Sequence, residues 1–94
     1  MDYTAFTASL SLSEPPAGLS MAMQALWWDA KGNWHRAHEC AQAQDDADGA
    51  WVHAYLHRKE GDASNAGYWY RRAGKSAFTG SLAEEWEMLV RALV

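Results

Sequence analysis

Isoleucine is absent from the 94 residues, and valine occurs only at Val52, Val90 and Val94. Strands draw heavily on β-branched side chains, so this shortage excludes a mostly β architecture and, with abundant Ala, favours helices. A single cysteine, Cys40, excludes an internal disulfide and any CxxC zinc site. No apolar run approaches the roughly 20 residues of a membrane span, so no membrane partner is expected. Lys and Arg number 8 against 12 Asp and Glu, and a net charge of −4 gives no global attraction for nucleic acid. The opening segment MDYTAFTASL holds an acid and no Lys or Arg, unlike a secretory leader, so the expected location is the cytoplasm. No Gly-rich phosphate loop and no GxSxG elbow occur, and the Asp45-Asp46-Asp48 cluster lacks the EF-hand ligand pattern. Neither a cofactor nor catalysis is expected.

Large aromatics are present in quantity: six Trp, four Tyr and two Phe. Helix punctuation divides the chain at Pro15-Pro16-Ala17-Gly18, Gly32-Asn33, Asp45 to Gly49, Gly61-Asp62 and Gly74. The pattern predicts a helix over Tyr3–Leu12 capped by Asp2, a second from about Ala17 to Lys31, and a third from Trp34 to about Gln44 capped by Asn33. A fourth runs from about Gly49 to Glu60 with Asp48 as its cap, and a fifth starts at Asp62 or Ser64 and ends at Gly74. The last begins at Ser81, where Ser81 and Glu84 fit a capping box. Leu82, Trp86, Leu89, Val90 and Leu93 form its apolar stripe, with Glu84, Glu85, Glu87 and Arg91 expected toward water.

The chain also repeats. At an offset of 29 residues Ala25 falls on Ala54, Trp28 on His57, Gly32 on Gly61, Asn33 on Asp62 and Ala37 on Ala66. Small Ala residues let paired helices approach, Gly ends the first helix, and Asn or Asp caps the second, which is how a helical solenoid is written. The run GDASNAGYWYRRAG, with Gly61-Asp62, Ala66, Tyr70 and Ala73, resembles the second half of a tetratricopeptide repeat. Trp69-Tyr70-Arg71-Arg72-Ala73 resembles the WY-x-x-A of Sel1-like repeats more closely still. The period is shorter than the usual tetratricopeptide period, and His57 stands where an aromatic is expected. The resemblance implies an all-α domain of two antiparallel helix hairpins with capping helices. Its parts are an N-terminal helix and Pro-rich turn (1–18), repeat one (19–47), repeat two (48–76) and a C-terminal capping helix (81–94).

In tetratricopeptide-like domains the first helix of each hairpin lines a concave surface. The resemblance therefore implies a partner-binding face of Trp51, Tyr55, Arg58 and Lys59, continued by Leu26 and Asp29 of the second segment. Trp28 joins this set with Trp51, because one small core cannot easily bury six indoles with every N–H satisfied. Aromatics beside two cations suit a protein or peptide segment with apolar and acidic residues. The bland alternative is that Tyr55 is core and Arg58-Lys59 a solvated helix end.

Charge is uneven: residues 1–57 are net −5, 58–75 net +3 and 76–94 net −2. The basic stretch beside Tyr68 and Trp69 suits single-stranded RNA or the acidic half of a second copy, but the acidic remainder argues against a nucleic-acid partner. His53 and His57 stand at i, i+4, a spacing that turns both imidazoles toward one metal, and His38 of the preceding helix could join them with Glu39. Against a metal, His57 occupies an aromatic packing position and His53 falls on the polar Gln24 of repeat one; Cys40, the only thiol, reads as a small buried hydrophobe rather than a nucleophile. The sequence thus supports first a non-catalytic protein- or peptide-binding repeat module. Behind it stand a His-based metal site (His38, His53, His57) with a hydrolytic or sensory role, and a self-associating structural unit or homodimer.

Overall fold

Every α-helix start is marked by a side chain that takes an otherwise orphaned backbone N–H. In the computed structural model, which describes residues 1–94, the fold is all-α, with six α-helices and no strands. They are α1 (Tyr3–Ala8), α2 (Met21–Ala30), α3 (Trp34–Ala43), α4 (Ala47–Glu60), α5 (Ala63–Ala73) and α6 (Leu82–Leu93). Asp2, Asn33, Asp62 and Ser81 cap α1, α3, α5 and α6 as the sequence predicts, and Ser81 and Glu84 exchange both bonds of the capping box.

Four expectations are corrected. The first helix is shorter: α1 ends at Ala8 and tightens into a 3₁₀ turn over Ser9–Ser11. The second begins at Met21 rather than Ala17, because Gly18 lies at positive φ and Ser20 supplies the cap, accepting from Met23 N–H. The fourth is capped by Asp46 rather than Asp48. The Asp46 carboxylate is held by Gln44 Nε2 at 3.0 Å and takes the Gly49 N–H at 2.9 Å. Glycine is required at 49, since a Cβ there would stand 1.9 Å from the Gln44 carbonyl oxygen. Finally Glu85, expected in water, is fully buried.

The turn geometry recurs at the 29-residue offset. Gly32 and Gly61 have φ of 84° and 89°, and Asn33 N–H and Asp62 N–H both return 2.9 Å bonds to the carbonyls of Trp28 and His57. This bond pattern needs a left-handed residue, which glycine adopts without Cβ strain. The Asn33 and Asp62 side chains then cap the following helix through Arg36 N–H and Asn65 N–H. Helix α2 packs on α3, α4 on α5, and α3 on α4, while α6 lies across α2 and α4.

The main core gathers Phe6, Leu26, Trp27, Val52, Tyr55, Leu56, Leu89 and Val90, each worth about 1.5–3 kcal/mol on burial. A satellite of Ala54, Ala66 and Tyr70 sits between α4 and α5. The indole N–H groups of buried Trp27 and part-buried Trp34 and Trp86 are satisfied: Trp27 donates to Ser9 Oγ, Trp34 to the Leu56 carbonyl and Trp86 to the Leu26 carbonyl. No buried side-chain nitrogen or oxygen lacks a partner. Cys40 is buried in this core, and burial pushes its thiol pKa up.

Candidate functional site

Helix α4 is surrounded by other elements, and its side chains build three separate polar clusters. The first joins it to α2. The Asp29 carboxylate, buried at 4% exposure, accepts from the Tyr55 hydroxyl at 2.6 Å and from Lys59 Nζ at 2.8 Å. Burial, followed by the neighbouring Asp29 carboxylate, raises the Tyr55 pKa far above that of a free phenol, so the hydroxyl stays a donor. This cluster forms one wall of a groove of about 510 Å³, with Tyr3, Leu10, Leu82 and Trp86 as apolar lining.

The second cluster joins α4 to α5 and α6. Arg58 donates through Nη1 to Glu85 Oε1 at 2.9 Å and through its other amino group to the Gly80 carbonyl. The second Glu85 oxygen accepts from the Tyr70 hydroxyl. Burial and that carboxylate raise the Tyr70 pKa. Each oxygen of the buried carboxylate thus meets a donor, which is the condition for holding it out of water.

The third cluster joins α4 to α3. His38, His53 and His57 each bring a ring nitrogen within 4.8 Å of the other two. His38 Nε2 and His53 Nε2 are 2.9 Å apart. His57 Nδ1 meets Glu60 Oε1 at 2.8 Å. Two indoles wall the cluster: Trp69 stacks on His53 with ring centres 3.8 Å apart, and Trp34 on His38 at 5.1 Å. Burial, then repulsion from His38, His57 and Arg72, lowers the His53 pKa to about 4. His38 is lowered by burial and by His57.

The expected partner-binding set is divided among these places. Asp29, Tyr55 and Lys59 converge on the groove. Arg58 turns beneath α6 and is occupied by Glu85 and Gly80, so it does not share that face. Trp51 is part-exposed in a different depression, with Lys75 Nζ 4.4 Å above its ring. Trp28, also part-exposed, lies under the Arg36 guanidinium at 4.2 Å. The basic stretch is likewise met within the chain, for Arg72 lies over Trp69 at 4.9 Å and reaches Asp45 at 3.5 Å. A larger depression of about 670 Å³ on the outer side of α6 touches none of the expected residues.

Of the expected metal ligands, His38, His53 and His57 come together. Glu39 does not join them: it pairs with exposed His35 at 3.4 Å. Glu60 instead bonds to His57 from the next turn, and its i, i+3 spacing from His57 is a signal readable in the sequence. Glu85 and Tyr70 carried no such signal, because their partners come from other helices. Comparison with protein-family models, with curated proteins and with solved structures finds no match. No helix is long and apolar enough to cross a membrane.

Proposed function

We propose that this chain is a non-catalytic binding module that takes a segment of another protein in the groove between α1, α2, α4 and α6. One observation carries the reading: the groove sets an apolar lining of Tyr3, Leu10, Leu82 and Trp86 beside a fixed ammonium group, Lys59 Nζ. An ammonium has three N–H donors. Asp29 uses one of them here, and the Lys59 side chain keeps 39% exposure. The occupant that fits is a segment with an apolar side chain to fill the groove and a carboxylate to meet Lys59. The hairpin turns recurring at 29 residues, and the resemblance to tetratricopeptide and Sel1-like repeats, support the same reading. The cation expected to assist, Arg58, is already engaged by Glu85, so recognition of the acid rests on Lys59 alone.

Selection of a random peptide library on the immobilised protein, followed by fluorescence anisotropy with the enriched peptides, tests this. Enriched peptides should pair a large apolar residue with a nearby acid. Ala83→Trp, at an exposed α6 position on the groove rim, should weaken them tenfold or more. Lys59→Met should weaken them less. Binding that is indifferent to Ala83→Trp would place the partner site elsewhere.

A further inference from the structure

The His38–His53–His57 cluster is independent of the groove, and the peptide-binding reading makes no use of it. Its chemistry is unusual for a packing site. Three imidazole rings crowd together with centres 4.6–5.2 Å apart, and a single carboxylate, Glu60, bonds to one of them. Packing alone is met by an apolar ring, since the repeat places Trp28 at the position equivalent to His57.

We infer that His38, His53 and His57 form a three-nitrogen site for one divalent transition-metal ion of the zinc type. Two ligands come from one turn of α4 and the third from α3, so the site pins the helix pair that joins the two hairpins. With Nδ1 of His57 turned to Glu60, Nε2 is the nitrogen left for metal. A carboxylate behind a ligating imidazole fixes its tautomer and strengthens it as a donor, as Glu60 does here. Zinc holds imidazole nitrogens at about 2.0–2.1 Å, which sets them about 3.4 Å apart in a tetrahedron. His38 Nε2 and His53 Nε2, 2.9 Å apart, need to separate by only about half an ångström, and a ring nitrogen of His57 lies within 4.8 Å of a nitrogen of each.

The stacked indoles Trp34 and Trp69 limit how the rings of His38 and His53 can turn. An all-imidazole set suits zinc, copper, nickel or cobalt and rejects magnesium and calcium, which demand oxygen. Three protein ligands leave a coordination position free, and the part-exposed His38 marks the side from which the ion enters.

The test uses untagged full-length protein stripped with chelator and titrated with Co²⁺ and Zn²⁺. One equivalent of Co²⁺ should produce visible ligand-field absorption, Zn²⁺ should displace it, and Zn²⁺ should raise Tm in a concentration-dependent way, while Mg²⁺ does neither. His38→Gln, at the part-exposed ligand, should abolish the absorption. Glu60→Gln should weaken binding 10- to 100-fold with an unchanged far-UV spectrum. His35→Gln should change nothing. Should His38→Gln fail to fold, NMR of the native protein replaces it: the imidazole signals of His38, His53 and His57 should move on Zn²⁺ addition and those of His35 should not. No Co²⁺ absorption at one equivalent, or binding that survives His38→Gln and disappears in His35→Gln, overturns the site.

Discussion

Asp29 and Glu85 are buried as deeply as His53 and His57, yet the two pairs sit in different surroundings. Each carboxylate meets a cation and a phenol that complement it: Lys59 and Tyr55 for Asp29, Arg58 and Tyr70 for Glu85. The imidazoles meet chiefly one another, with Arg72 near His53 and one carboxylate, Glu60, on His57. Complemented burial ties α4 to its neighbours and has a structural purpose in the folded chain alone. The imidazoles bond chiefly to one another and to a single carboxylate, an arrangement the proposed metal site would use. That contrast separates a scaffold from a site along a single helix.

The sharpest way to break the contrast is to remove one member of each set. Arg58→Met leaves the Glu85 carboxylate buried without its cation and should cost about 3 kcal/mol, the low end for a buried pair because the Arg58 side chain is 25% exposed. Asp29→Ala should cost about 2 kcal/mol, since the buried Tyr55 hydroxyl loses its acceptor while Lys59 turns to water. Both are read from urea midpoints. If either costs no more than the histidine variant below, the division of α4 into scaffold and site fails.

Acid should reveal the third cluster next. In chelator-treated protein the folded His53 pKa, about 4, lies below the ordinary value of 6.5. The unfolded chain therefore takes up this proton first. The contribution of His53 to stability is complete above pH 6.5 and is lost as the pH falls from 6.5 toward 4. The urea midpoint should decline over that window, with His38, its own pKa lowered, adding to the slope. The smallest effect belongs to His53→Phe, which keeps the stack on Trp69 and gives His38 back to water. It should change stability by less than about 1 kcal/mol at neutral pH and flatten the acid slope. A loss of several kcal/mol would make the imidazole a packing residue.

Features set by a few adjacent residues were legible in the sequence. The caps Asn33, Asp62 and Ser81, the turns at Gly32 and Gly61, and the i, i+4 histidines all depend on neighbours within a turn or two. The misplaced features depend on distant ones. Asp46 prevails over Asp48 because Gln44 holds its carboxylate, and the same Gln44 side chain accepts from Ala22 N–H at the start of α2. Glu85 looks solvent-facing on its own helix and becomes buried only where Arg58 and Tyr70 arrive from α4 and α5. The division of Trp51, Tyr55 and Arg58 among different surfaces follows from where α5 and α6 cross α4, which no pattern within α4 encodes.

The Trp86 indole has one more consequence. Its N–H reaches the Leu26 carbonyl, 60 residues away in sequence, and its ring meets Phe6 and Tyr3 of the first helix. A row of stacked hairpins is free to unzip from either end, one unit at a time. Here the last helix clasps the first two, so neither end can peel away without opening the other. Hairpins that would otherwise melt in sequence are thereby joined into one cooperative unit, and amide exchange in α2 and α6 should slow and quicken together.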